Sequence, residues 1–272
     1  MYRRALIALD MSQAESALLG CLAELKQFGV EELVLTHIIK VGYAQGAGVG
    51  HEDDLQAWLE AHAAPLREAG FKVDVVVREG ADVADTLLAV TDEKKADLLV
   101  TGSRSESRIK TLFLGSVARK LLRRATLPVL LVWMEPGKGE NQDGCELACR
   151  TMLSHPLLVT DFSDKSVGAV QAAVALARKS GKVDSLHVSR GATGTEQAKL
   201  DVVASRFPET ERGRTILETG EVADTIAAVA KREDNSLIIM GRHGRGWKAG
   251  NLFGSTAAEL CEMAGKPVLV VA

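Results

Sequence analysis

The chain lacks most of the short signatures that announce chemistry. There is no Walker pattern GxxxxGK[ST], and no GxGxxG follows the first apolar run, so neither a P-loop nor a Rossmann dinucleotide turn is written in it. ATP hydrolysis has no visible machinery: no Walker lysine, and no obvious base beside a glycine loop. A GxSxG elbow is missing, and the six histidines show no HExxH-type spacing. The four cysteines, Cys21, Cys145, Cys149 and Cys261, form no CxxC pair and read as free thiols in a reducing cytoplasm. No apolar run approaches membrane-spanning length. The opening Met1-Tyr2-Arg3-Arg4 is followed only by the short run Ala5 to Leu9 before Asp10, too short for a secretory core. A net charge of −3 gives no reason to expect nucleic acid or an anionic membrane as partner. With 46% hydrophobic and 25% charged residues, the composition is that of an ordinary globular protein.

What the chain does have is a repeated glycine pattern. Gly241-Arg242-His243-Gly244 is followed, after nine residues, by Gly254-Ser255. The pattern nearly recurs 139 positions earlier, as Gly102-Ser103-Arg104-Ser105, nine residues, then Gly115-Ser116. The repetition divides 272 residues into two copies of ordinary domain size, expected at 1–134 and 155–272 with a linker over 135–154. The run Glu135 to Asp143, rich in glycine and polar residues, marks that linker. Cys145 to Leu153 is expected to contribute a helical turn.

The rest of each copy aligns by eye. The first opens with Ala5 to Leu9 and Asp10-Met11-Ser12, the second with Pro156 to Thr160 and Asp161-Phe162-Ser163. Each is a continuous apolar run, as in a strand buried on both faces of a parallel sheet, ending in a helix-capping Asp-x-Ser. Helical patterns follow at Gln13 to Phe28 and Lys165 to Ser180. Second strands are expected at Leu33 to Ile38 and Asp184 to Val188, third strands at Val73 to Val77 and Thr215 to Leu217. Val83-Ala84-Asp85-Thr86 and Val222-Ala223-Asp224-Thr225 each start a helix just after Gly80 or Gly220. Leu98 to Thr101 and Leu237 to Met240 run into the glycine motifs, and Leu127 to Val132 and Lys266 to Val271 close the copies. Strands alternating with helices predict an α/β fold: two tandem doubly wound domains, each a five-stranded parallel sheet with helices on both faces. The copies differ chiefly at an insert, Val41 to His51, expected to be a mobile surface loop before a helix starting at Glu52. The last strand ends at Ala272 with an edge that needs cover, and the equivalent edge of copy one is the candidate partner.

In open parallel sheets ligands bind beyond the carboxyl ends of the strands. Asp161, Val188, Gly241 to Gly244 and Gly254-Ser255 converge there in copy two. Glycines permit positive φ and close backbone approach, and successive N–H groups at a helix N-terminus can cradle phosphate. The Ser255 and Thr256 hydroxyls add donors, Asp161 can hold ribose hydroxyls, and His243 and Arg242 can reach phosphate. Taken singly, a glycine pair is usually a turn and Asp161 an N-cap; together, in this order, they read as a nucleotide site. His37 and His187 hold equivalent strand positions and read as packed, hydrogen-bonded histidines.

These residues resemble the universal stress protein family in its tandem form. The family's mark is G-2x-G-9x-G-(S/T), preceded by a strand-one Asp and a strand-two His-Val. Copy two matches it with Asp161, His187-Val188, Gly241, Gly244, Gly254 and Ser255. The resemblance implies a sheet of the adenine nucleotide α-hydrolase-like type, with ATP or AMP, and at most a magnesium ion carried by the phosphates, as cofactor. It implies adenine near Val188, ribose at Asp161 and Gly241, and phosphates at His243, Gly244, Gly254, Ser255 and Thr256. Met240 would line the base or ribose, with Thr160 and Phe162 flanking Asp161. It further implies pairing of the final strands into an intramolecular pseudo-dimer, with a homodimer of such chains also open.

Copy one departs from the mark at Ser105, which stands where copy two has Gly244. If that position needs positive φ, a serine costs about 1 kcal/mol or more. Glu106 replaces Arg245, although Arg104 and Arg108 can offset its charge. Asp10, Ile38, Gly102, Gly115 and Ser116 remain, so copy one is expected to bind nucleotide weakly, to bind something smaller such as AMP, or to have become structural. The expected function is a cytoplasmic, nucleotide-responsive regulator acting through an unidentified protein partner, with copy two as its main site and the Arg242 to Phe253 loop ordered by nucleotide. The alternatives are a slow ATPase of the same fold and an interaction module that binds no nucleotide.

Overall fold

The computed structural model describes residues 1–10, 15–41, 52–103, 114–133, 151–189, 191, 194–244 and 253–272. The insert after Val41, the Glu135 to Asp143 linker and Ser105 with its neighbours lie outside the described residues.

Copy one contributes β1 (Arg4–Leu9), α1 (Glu15–Cys21), β2 (Glu32–Lys40), α2 (Glu52–Glu68), β3 (Lys72–Gly80), α3 (Val83–Lys94), β4 (Leu98–Gly102), α4 (Ser116–Arg124) and β5 (Val129–Val132). Copy two contributes β6 (Pro156–Val159), α5 (Val167–Ala177), β7 (Val183–Ser189), α6 (Glu196–Ala204), β8 (Arg212–Thr219), α7 (Val222–Arg232), β9 (Leu237–Gly241), α8 (Ser255–Met263) and β10 (Val268–Val271). The first helix is shorter than its apolar pattern suggests. After Cys21 the chain tightens into a 3-10 turn over Leu22–Lys26, and Gly29 at φ 93° ends it.

The ten strands among the described residues form one sheet in the order β3-β2-β1-β4-β5-β10-β9-β6-β7-β8. Pairing is parallel throughout except at the centre, where β5 and β10 run antiparallel with Val268 opposite Leu131 and Val270 opposite Val129. The bare edges of the two closing strands thus cover each other. Each half reverses its strand order between its first and fourth strands, β1 and β4 in one, β6 and β9 in the other. These are the switch points where doubly wound sheets open a crevice.

The sheet is buried on both faces. Ala5, Ile7 and Leu9 pack on one side and Leu6 on the other, and both apolar layers run unbroken from copy one into copy two through β5 and β10. This explains why the central strands read as solid apolar runs rather than alternating ones.

The repeated Val-Ala-Asp-Thr also has a local reason. A side chain at Gly80 would collide with the Thr86 hydroxyl and lie 2.9 Å from Thr86 Cβ. Gly220, at φ 147°, would place its Cβ 2.7 Å from Thr225 Oγ1. In both copies the fourth residue of the motif folds back onto the glycine that ends the third strand.

The expectation of four free thiols is corrected. Cys261 is free and buried, which pushes its thiol up to about 12. Cys21, however, is disulfide-bonded, its partner lying outside the described residues. A bridge between cysteines distant in sequence leaves no short-range spacing to read, and it removes the thiols as an argument for a reducing compartment.

Candidate functional site

The second switch point lies where β6 and β9 separate. β6 delivers Thr160 and Asp161. Thr160 is buried; its hydroxyl sits 3.0 Å from Ser166 Oγ and accepts the Phe162 N–H at 3.1 Å. Asp161 Oδ1 accepts from Ser163 N at 3.0 Å and Ser163 Oγ at 2.7 Å, so its carboxylate is fixed by a local Asx turn. Phe162 adopts a left-handed backbone, φ 61°, and lays its ring on His187 at 4.3 Å and 36°. A bulky residue in that region costs on the order of 1 kcal/mol.

His187 on β7 bonds through Nδ1 to the Thr160 carbonyl at 2.8 Å, tying the ends of β6 and β7 together. That carbonyl can only accept, so Nδ1 carries the proton. Its other ring nitrogen faces the buried Glu196 carboxylate at 3.7 Å, which also lies 3.2 Å from Ser189 Oγ. Val188 follows, buried, at the rim. Glu196 gave no sequence signal, since nothing in its helix-start pattern points to a histidine nine residues back.

β9 delivers Met240, buried, and Gly241 as its final residue. A Cβ on Gly241 would lie 3.0 Å from the Lys165 carbonyl oxygen, one on Gly244 would lie 3.0 Å from Asp161 Oδ2, and one on Gly254 would lie 2.8 Å from the Arg242 carbonyl oxygen. None of the three glycines has φ in the left-handed region. The motif therefore needs glycine for close approach rather than for positive φ, which corrects the conformational argument made for Ser105. Gly254 N donates to Arg242 O at 3.1 Å and folds the loop's far end back on its start. Gly254 then caps α8 with no side chain over its first turn, leaving Ser255 exposed and Thr256 half-buried at the helix start. α8 thus begins beside His243, whose Cα would lie 3.5 Å from a Cβ on Gly254, and the partial positive charge of a helix N-terminus favours an anion there.

Arg242 does not reach this crevice. Its guanidinium is buried and turned into copy one, where Nη1 donates to the Ala125 carbonyl and Nη2 to the Leu127 carbonyl at 3.2 Å. Burial lowers its pKa from the usual arginine value. The expected phosphate contact by Arg242 is thereby corrected. The reason is positional: Arg242 N is bound to Val271 O at 2.8 Å, which places the residue beside the β5–β10 seam rather than over the strand ends.

Copy one repeats the frame. Asp10 follows β1, and His37 Nδ1 bonds the Leu9 carbonyl at 3.0 Å. Desolvation, partly offset by that bond and by Asp10, holds the His37 pKa below the usual value. Ile38 is buried, Gly102 ends β4, and Gly115 caps α4 ahead of an exposed Ser116, with Gly115 N bound to Ser103 O at 3.0 Å. Ser105, Glu106 and the arginines beside them lie outside the described residues, as do positions 245–252 of the copy-two loop. Among the described residues no cluster of His, Cys, Asp and Glu could hold a metal ion, and no helix is long and apolar enough to cross a membrane.

A model described as the universal stress protein family matches residues 1–132 and 152–272. The stress response protein NhaX of Bacillus subtilis is 34% identical over 82 residues, 30% of this chain and 49% of that protein. The chain spans about half the length of two of the curated relatives it matches, 49% and 55%. In solved structures, a universal stress protein from Archaeoglobus fulgidus aligns over 98% of this chain and 97% of its own, with TM-score 0.78 and 22% identity, a likeness of fold. A universal stress protein from the same organism in complex with dAMP aligns over 49% of this chain and 98% of its own, with TM-score 0.37 and 23% identity.

Proposed function

Since the chain belongs to the universal stress protein family, we propose that it binds an adenine nucleotide, ATP or AMP, chiefly in its second copy. The observation that carries this reading is the crevice at the β6–β9 switch point. There Gly244 lies close against Asp161, and Gly254, the N-cap of α8, packs against Arg242 and His243. A glycine cradle that a Cβ would fill, a fixed carboxylate and a helix N-terminus are the groups that a ribose and its phosphates require.

In this reading Asp161, fixed by Ser163, accepts from the ribose hydroxyls. Val188 and Met240 form the apolar wall for the base, on a strand end held by His187 through Thr160. The amides of Gly244, Gly254 and Ser255, with the Thr256 hydroxyl and His243, hold the phosphates, and any magnesium ion arrives with them. Thr160 and Phe162 shape the wall beside Asp161. The two copies act as domains over 1–134 and 155–272, joined by a linker at 135–154. Nucleotide serves here as a signal rather than as a turnover substrate: occupancy alters the surface around Arg242 to Phe253 that is offered to a protein partner. Copy one, through Asp10, Ile38, Gly102, Gly115 and Ser116, binds nucleotide more weakly.

Two measurements on the full chain test this. Mass spectrometry of small molecules released by denaturing freshly purified protein should find an adenine nucleotide. Calorimetry with ATP, ADP and AMP should give one dominant site, lost in Asp161→Ala. Absence of heat from the wild type would overturn the reading, and turnover of Mg-ATP that disappears in the same variant would replace the regulator with a slow ATPase.

A further inference from the structure

Arg242 occupies the second position of the copy-two glycine motif, yet its guanidinium reaches the other copy. Ala125 is the C-cap of α4, and Ala125 and Leu127 flank the turn between α4 and β5. Their carbonyls receive Arg242 Nη1 and Nη2 across a sequence separation of more than a hundred residues. No carboxylate accompanies the buried guanidinium among the described residues. The charge is met by carbonyls at a helix C-terminus, where the macrodipole favours a cation.

The backbone of the same residue is held at two further points. Arg242 N donates to Val271 O at 2.8 Å, and Arg242 O accepts from Gly254 N at 3.1 Å. One residue therefore touches the last strand of copy two, the amide that caps α8, and the end of α4 in copy one. α4, nine residues long, begins at Ser116, in the candidate site of copy one, and ends at Arg124, next to the carbonyls that hold Arg242. A second link runs parallel to it, Arg119 on α4 to Glu262 on α8 at 2.9 Å.

Among the described residues no side chain of copy one makes the matching contact to copy two. The residue equivalent to Arg242 in copy one is Ser103, whose backbone makes the same two bonds, N to Val132 O and O from Gly115 N, each at 3.0 Å. Its side chain is too short to span to the α8–β10 turn.

We propose that Arg242 is a positioning residue that braces the copy-two glycine loop against copy one, so that occupancy of the copy-two site is transmitted to the α4–β5 turn. This rests on the reading that copy two holds the nucleotide. Bracing works through pre-organisation: residues already held in place, here Arg242 and Gly254, lose less conformational freedom when the phosphates arrive. Linkage makes the effect reciprocal, so whatever steadies α4 also favours nucleotide in copy two.

The test compares the full-length wild type with Arg242→Ser, which copies Ser103, and Arg242→Lys, which keeps a cation with one reach. Amide exchange is followed first without nucleotide. Arg242→Ser should speed exchange severalfold at Gly254, whose amide bonds Arg242 O, and at Ala125, whose amide bonds Leu121 O at 2.8 Å. Distant amides of β7 should be unchanged. Saturating AMP should slow exchange at Ala125 in the wild type and leave it unaltered in Arg242→Ser. Calorimetric affinity should fall about tenfold in Arg242→Ser and recover in part in Arg242→Lys, which also serves if the serine variant does not fold.

Unchanged exchange at Gly254 and Ala125 would overturn the brace. So would affinity lost with exchange unchanged, since Arg242 would then be a direct ligand, and so would exchange raised with affinity intact. If the wild type binds no adenine nucleotide, the functional reading fails separately, and the exchange measured without ligand alone upholds or overturns the brace.

Discussion

Gly244 stands against Asp161: a Cβ at Gly244 would lie 3.0 Å from Asp161 Oδ2. The two belong to different elements, the loop after β9 and the turn after β6, and their closeness leaves the carboxylate no room for a side chain on that side. Gly244→Ser, which reproduces the residue found at Ser105, should therefore push on the Asp161 carboxylate. The backbone there is not left-handed and the residue is exposed, so stability should change by less than about 0.5 kcal/mol. Nucleotide affinity should fall about tenfold or more, measured by calorimetry beside a thermal melt.

Gly254→Ala tests a tighter contact. Its Cβ would meet the Arg242 carbonyl oxygen at 2.8 Å, a backbone atom that cannot rotate away. The loop must shift, and overpacking of this kind costs about 1–3 kcal/mol. A lowered denaturation midpoint with an unchanged m-value is the expected result.

Gly80 and Thr86 should be energetically coupled. Gly80→Ala drives a methyl into the Thr86 side chain and should cost about 2 kcal/mol. Thr86→Ala alone forfeits the hydroxyl's bond to Asp82 O at 2.8 Å, a smaller loss. Together they should cost less than the sum, because removing the hydroxyl relieves the closest clash. A double-mutant cycle by urea denaturation measures that difference, and strict additivity would contradict the packing described for this motif.

His37 predicts a pH dependence. Burial holds its folded pKa below the unfolded value of 6.5. As pH falls below about 6.5, the unfolded chain therefore takes up a proton before the folded one does, and stability declines until the folded pKa is passed. Urea denaturation at pH 7.5 and pH 5 should show a loss over this window that is smaller in His37→Gln. An unchanged difference between the two pH values would assign the effect to other groups.

Much of this architecture was legible in the sequence because it rests on local pattern. Solid apolar runs such as Leu98 to Val100 mark strands covered on both faces, and the glycine spacing locates the crevice. The pairing of Val129 to Val132 with the end of the chain follows from an edge that needed cover. What was not legible depends on contacts made across space. Arg242 reads as a phosphate ligand until copy one is folded beside it, when its side chain goes to Ala125 and Leu127 instead. Glu196 reads as a helix start until it is found buried against His187. Cys21 reads as a lone thiol because a disulfide is a property of proximity, not spacing. The repeated Val-Ala-Asp-Thr was visible as a repeat, but its cause, a threonine folded onto a glycine, was not.

The antiparallel seam between β5 and β10 has a consequence for how such a protein can change. Were the two halves separate identical subunits, rotation about the seam would make every contact appear twice, and any substitution would alter both ends at once. Carrying both halves on one chain lifts that restriction, and each side of the seam can vary without its mate. Arg242, where copy one has Ser103, is such a difference: its side chain bonds Ala125 and Leu127, and a symmetric pair of identical chains could not carry arginine in one half and serine in the other.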